Sequence, residues 1–295
     1  MSGRKRKKMK KISFFFISFC FASFGLIAQI KTIVVDSPDE FVNAIGSDRI
    51  IQLKGSTIYI SEISSKEQGA NYRFNDADSD DSYELVIFGV SNMKIEGLGN
   101  EPVKIITKPE YGNVLVFENC NNITIENIEA GHGPEKGYYI GGVFKIINST
   151  NFTINKSIMY GSGIEGITAE NVTGLKCNNS IIRECSYGIM TLYECFDFEF
   201  NNCEFSDNEE FDLVNISNCT NVKFSICTFV NNKTSTNYDF VEYAVFNVDE
   251  SKSISINDCL IKNNVANFFY KKEGSIELNN IKLENNLFEK GDYKK

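Results

Sequence analysis

Three similar units laid end to end between Ile164 and Asn232 predict an all-β chain wound as a solenoid. Aligned on Leu175, Phe198 and Val222, they place Ser180, Cys203 and Cys227 five residues on. Ile182, Phe205 and Phe229 follow seven residues on. A second observation is the reach of the period. Equivalent apolar positions are Met93, Ile123, Phe152, Leu175, Phe198, Val222, Ile254 and Ile276, spaced by 30, 29, 23, 23, 24, 32 and 22 residues. The short spacings are bare coils, and the long ones carry loops near 134–142 and 234–243. The third observation is alternation within each unit, as in Ile123-Thr124-Ile125 and Ile254-Ser255-Ile256, the mark of a strand with one buried face. Leucine-rich repeats need a Leu framework that is absent, and propeller blades need about 40 residues or more. Short strands joined by Asn, Gly, Ser and Asp fit a parallel β-helix, each strand stacked on its equivalent at about 4.8 Å.

The chain divides in order as follows. Arg4 to Lys11 holds seven Lys or Arg and no acid, and Ile12 to Ala28 is an apolar run ending in Ala28-Gln29. Residues 1–28 therefore read as a secretory signal. Seventeen apolar residues are marginal for a membrane span, so none is expected once the signal is cleaved. Loss of seven positive charges takes the formal net charge from −9 to −16, a surface that repels nucleic acid. Residues 29–60 are expected to form a cap and the first strands. Thr32 to Val35 is a strand. Ser37-Pro38-Asp39-Glu40 opens a short helix with Ser at the N-cap, Pro at N1 and Glu at N3, and Gly46 ends it. Such a helix would cover the open end of the stack. Ile50 to Leu53 and Thr57 to Ile60 begin the coils. Residues 61–84 are expected to be a polar, acidic loop, 85–288 the coils, and 289–295 a charged tail.

Stacking accounts for the unusual residue types. Cys120, Ser149, Val172, Cys195, Cys219 and Ser251 fall in one column, and Ile128, Ser157, Ser180, Cys203, Cys227, Cys259 and Ile281 in another. Small or apolar residues suit inward positions at tight corners. Eight Cys in a secreted chain raise the alternative of disulfides. Ser, Val and Ile in the same columns favour free thiols. Asp207-Asn208, Asn231-Asn232, Asn263-Asn264 and Asn285-Asn286 form a third column, read as a structural ladder at a turn that tolerates left-handed backbone.

Candidate chemistry is sparse. Asp76, Asp78 and Asp80 have the spacing of the first ligands of a calcium loop, which admits Ca2+ as a cofactor. Asp81 stands where that loop requires Gly, and Ile87 where it requires Glu, so a solvated acidic loop is the competing reading. His132, the single histidine, lies in Gly131-His132-Gly133. On the coil alignment, His132, Tyr160, Arg183 and Glu184 share one edge where later coils carry Asn. A ladder interrupted by titratable and aromatic residues is where a site is expected, although ordinary turn residues give the same pattern. His132 and Glu184 would supply acid and base, and Arg183 would hold an acidic sugar group. Glu135, Tyr138, Tyr160, Glu165 and Tyr187 would line the groove.

Units such as Val114-Leu-Val-Phe-Glu-Asn-Cys-Asn-Asn-Ile-Thr-Ile125, with the capping helix and the signal, resemble the secreted right-handed parallel β-helix proteins of the pectin-lyase-like superfamily. The resemblance covers about residues 30–286. It implies a single-stranded right-handed parallel β-helix and admits lyases, hydrolases, epimerases and non-catalytic adhesins. Gly131-His132-Gly133 is similar to one of four polygalacturonase motifs; the other three have no counterpart. No calcium-bound Asp cluster of the pectate lyase kind is matched, and the chain has no Trp, though it has 13 Tyr. The expected function is binding or processing of a polysaccharide or cell-surface glycan, acidic ones included, by a monomer. The alternatives are a non-catalytic surface or adhesion protein and a calcium-dependent lyase.

Overall fold

A computed structural model describes residues 30–292, apart from 56, 77–82, 109–110, 134–139, 162, 237–239 and 273. The expected signal at 1–28 lies outside the described residues. So do Asp78 and Asp80 of the expected calcium loop, and Glu135 and Tyr138 of the expected groove. Among the described residues no helix is long and apolar enough to cross a membrane.

Three long sheets run the length of the molecule and enclose one core. Sheet 1 has ten strands, from Lys31–Val35 to Glu277–Asn279. Sheet 2 has nine, from Thr57–Tyr59 to Lys282–Glu284, and sheet 3 has nine, from Tyr72–Asp76 to Phe268–Tyr270. Neighbouring strands within each sheet come from successive turns of the chain, and their pairing is parallel with one exception. Met93, Ile123, Phe152, Leu175, Phe198, Val222 and Ile254 are direct register partners in sheet 1, as the repeat alignment requires. Their side chains face inward. Phe rings continue the stacking through the core, with Phe200 on Phe224 at 4.7 Å and Phe205 on Phe229 at 4.6 Å between centroids. Stacked and edge-on pairs of this kind add to the burial energy of each ring.

The antiparallel exception corrects the expectation for residues 61–84. Tyr72–Asp76 is a strand, paired with Tyr83–Phe88 to form a hairpin. Its apolar residues alternate: Tyr72 is buried, Phe74 packs on the core, and Arg73 between them turns out to Glu118 at 2.5 Å. The acids that follow hide this short alternation in the sequence.

The N-terminal helix, Pro38–Ala44, closes the first coil with Phe41, Val42 and Ala44. Ser37 Oγ accepts from Glu40 N at 3.3 Å, and the Glu40 carboxylate accepts from Asp36 N at 3.0 Å, one residue outside the expected capping-box donor.

The corner columns are hydrogen-bonded as well as small. Ser157 Oγ accepts from Ile128 N, Ser180 Oγ from Ser157 N, and Cys219 Sγ from Cys195 N, each one coil away. Each side chain thus satisfies a buried backbone N–H that turning the corner would strand. All eight cysteines of the described residues are free and buried. The Asn column does the same with both ends of its amide. Asn232 Oδ1 accepts from Asn208 N and Nδ2, while Asn232 Nδ2 donates to Phe205 O at 2.9 Å. Asp207, Asn231, Asn263 and Asn285 precede these amides at φ 57°, 58°, 55° and 52°, the left-handed turn the sequence implied.

Candidate functional site

Two edges of the solenoid carry the residues singled out by sequence, and they lie on different sheets. The first is the outer face of sheet 2. Gly131, Tyr160 and Arg183 are register partners on three successive coils. Tyr160 is buried, with its ring across Gly131. A Cβ at 131 would stand 2.7 Å from the ring. The first glycine of Gly-His-Gly is therefore the seat of an aromatic ring. The Arg183 guanidinium lies over the other side of that ring, 4.9 Å from its centroid. Arg183 also bonds Glu129 at 3.1 Å and Glu184, and Lys104 adds a contact to Glu129 at 3.7 Å. Glu184, at φ 58°, occupies the same left-handed turn position as Asp207. The charges of Arg183 and Glu184 thus neutralise each other.

His132 follows in the same strand, Ile128–His132, but its ring is fully buried. Nε2 lies 3.0 Å from Gly112 O; a carbonyl only accepts, so Nε2 carries the proton. Burial pushes its pKa down to about 4, so the ring is neutral at physiological pH. The structure brings Tyr160, Arg183 and Glu184 together as a packed ionic cluster. It directs His132 inward, towards sheet 3, away from Glu184. At the expected calcium loop, Asp76 ends the hairpin strand with an exposed side chain, opposite Tyr83. Among the described residues no three His, Cys, Asp or Glu are grouped to hold a metal.

The second edge is the outer face of sheet 3, and it collects Glu165 and Tyr187. Lys145, Thr168, Thr191, Asn215 and Asn247 are register partners along five coils and point outward, forming a polar row. Beside it, four residues before Thr168, Thr191, Asn215 and Asn247, stand Ile164, Tyr187, Phe211 and Tyr243. Their rings step from coil to coil: Tyr187 to Phe211 is 5.0 Å and Phe211 to Tyr243 is 5.4 Å between centroids. Phe211 is 37% exposed.

Between row and rings lie two buried carboxylates. Glu165 accepts from Thr191 Oγ1 at 2.7 Å and Thr168 Oγ1 at 3.1 Å. Burial raises its pKa, against these two hydrogen bonds. Asp212 sits at the equivalent place two coils on, about 9–10 Å away along the stack. It accepts from Ala244 N at 2.7 Å and pairs with Lys271 at 2.5 Å. Burial raises its carboxyl too, with Lys271 opposing. Gly188 separates the two: a Cβ there would stand 3.0 Å from Asp212 O and 3.6 Å from Glu165 Cγ. The arrangement offers hydrogen-bond acceptors, hydroxyls and an apolar platform along one line. Phe211, Asp212, Tyr243 and Lys271 escaped the sequence reading. Alignment on the register partners Ile167, Met190, Val214 and Phe246 would have found the ring column.

No protein-family model and no curated protein matches the chain. Solved structures do. A pectate lyase from Paenibacillus sp. 0602 superposes with a TM-score of 0.57 at 8% identity, covering 87% of this chain and 78% of that one. The catalytic domain of a GH87 α-1,3-glucanase in complex with nigerose gives 0.38 at 10% identity, over 90% and 66% of the two chains. PfbA, a surface adhesin of Streptococcus pneumoniae, gives 0.35 at 14%, over 90% and 82%. Identities this low speak to fold alone. The chain has the right-handed parallel β-helix fold of pectin-lyase-like proteins.

Proposed function

We propose that this protein is a secreted glycan-binding β-helix whose ligand lies along the outer face of sheet 3, over coils 164–249. The observation that carries this is the ring ladder Tyr187–Phe211–Tyr243 beside the polar row Thr168–Thr191–Asn215–Asn247. A sugar ring has an apolar face and a rim of hydroxyls. It needs apolar surface next to neutral hydrogen-bonding groups; the rings here, tilted to one another by 44° and 43°, stand beside the polar row at the coil repeat of about 4.8 Å, close to the length of one hexose. The basic and apolar stretch of residues 4–28 supports export. Arg183 belongs to the cluster on sheet 2 and is not part of this reading.

The test is a panel of soluble polysaccharides titrated against the protein and against Phe211→Ala and Tyr187→Ala, with folding checked by circular dichroism. Loss of one stacking ring is expected to weaken binding about tenfold, or about 1.4 kcal/mol. Folded variants that bind as well as the parent would overturn the assignment. New reducing ends or unsaturated products from the bound polysaccharide would make this face that of a hydrolase or a lyase.

A further inference from the structure

We infer that the first coil of this outer face, at Glu165, accepts an uncharged sugar and rejects a uronate; the inference rests on the face being the glycan site. Glu165 is 8% exposed, and both its oxygens are held by neutral hydroxyls, Thr191 and Thr168. Among the described residues no cation pairs with it. Lys145 stands in the row of Thr168 one coil earlier and makes no ion pair with Glu165. The positions before and after Glu165 in its column are Gly142 and Gly188, which present backbone only. The next charge along the stack, Asp212, is already compensated by Lys271.

A sugar seated over Thr168 and Thr191 therefore meets a carboxylate that accepts. Among the nearby amides, Asn215 Nδ2 donates to Asp212 O, and Asn247 Nδ2 to Asn215 Oδ1. Sugar hydroxyls, which donate, complement this surface. A carboxylate at C6 brings a second negative charge beside a desolvated one, where screening by water is weak. The acidic balance of the chain as a whole acts in the same direction.

The experiment uses calorimetric titration with hexasaccharides of β-1,4-linked glucose, galactose and mannose, and with the same sugars oxidised at C6 to carboxylates. The neutral form of the bound sugar is expected to bind at least about tenfold more tightly than its oxidised form at neutral pH. Glu165→Gln keeps the shape and removes the charge. It should close most of the gap between the neutral and the oxidised form, whatever it does to the affinity for the neutral form alone. Equal binding of both forms by the parent protein, or a Gln variant that leaves the gap unchanged, overturns the inference. Should the variant not fold, salt dependence of the parent decides: the gap must narrow from low to high salt. If Phe211→Ala abolishes binding while both forms bind alike, only the charge selection fails. If Phe211→Ala has no effect, the face itself is wrong.

Discussion

Acidification should destabilise this protein through its buried histidine. His132 is fully buried, and its pKa is pushed down to about 4 from an ordinary 6.5. Between those values the unfolded chain holds more protons at this position than the native one, so stability rises with pH across that window. The contribution is fully present above about pH 6.5 and is lost as pH falls towards 4. A shift of about 2.5 units, at about 1.36 kcal/mol each, corresponds to roughly 3 kcal/mol, of which roughly 2 kcal/mol is gone by pH 5. Glu165 and Asp212 act in the opposite sense. Burial raises their carboxyls, so each favours the native state as pH falls through its folded pKa. Comparison with His132→Gln cancels them, because only the imidazole differs. The assay is urea unfolding followed by circular dichroism at pH 7 and pH 5, with the carbon-13-labelled imidazole titrated by NMR. A single histidine gives a single signal. The parent should lose about 2 kcal/mol more than the variant on going to pH 5. An imidazole that titrates near 6.5, or identical pH dependence in the two proteins, would refute the burial argument.

Two further outcomes follow from the contacts described. Asn232→Leu removes a buried amide bonded to Asn208 N, Asn208 Nδ2, Phe205 O and Asn264 Oδ1, breaking four buried hydrogen bonds and taking the amide's bond from Asn208 N and from Phe205 O at about 1–3 kcal/mol each; thermal unfolding should show a loss of several kcal/mol, and a loss under about 1 kcal/mol would contradict the ladder. Arg183→Ala should leave glycan affinity within about threefold, since Glu129 and Glu184 already engage the guanidinium; a loss of tenfold or more in a folded variant would return the site to sheet 2.

The fold was legible because sheet 1 repeats without insertions. Leu175, Phe198 and Val222 are both evenly spaced in the chain and direct partners in space. The same alignment correctly joined Gly131, Tyr160 and Arg183 on sheet 2. It stopped short at sheet 3, because the chain between the two sheets varies in length. Leu175 leads to Met190 in 15 residues, but Val222 leads to Phe246 in 24. Tyr187, Phe211 and Tyr243 therefore fall out of phase in sequence while standing one coil apart in the fold. Burial was also hidden. A histidine at a turn reads as exposed, yet the close approach of Tyr160 over Gly131 belongs to a packed edge, and His132 turns in to Gly112. The corner serines and cysteines read as fillers because a side chain that accepts from the previous coil's N–H looks in sequence like any small residue.

The central claim is the place of the glycan, and hydrogen–deuterium exchange with and without the tightest-binding polysaccharide tests it most directly. Protection confined to segments 164–170, 187–193, 211–217 and 243–249 is the result predicted. Protection centred on 128–133 and 181–184, with the sheet 3 segments unchanged, would contradict it.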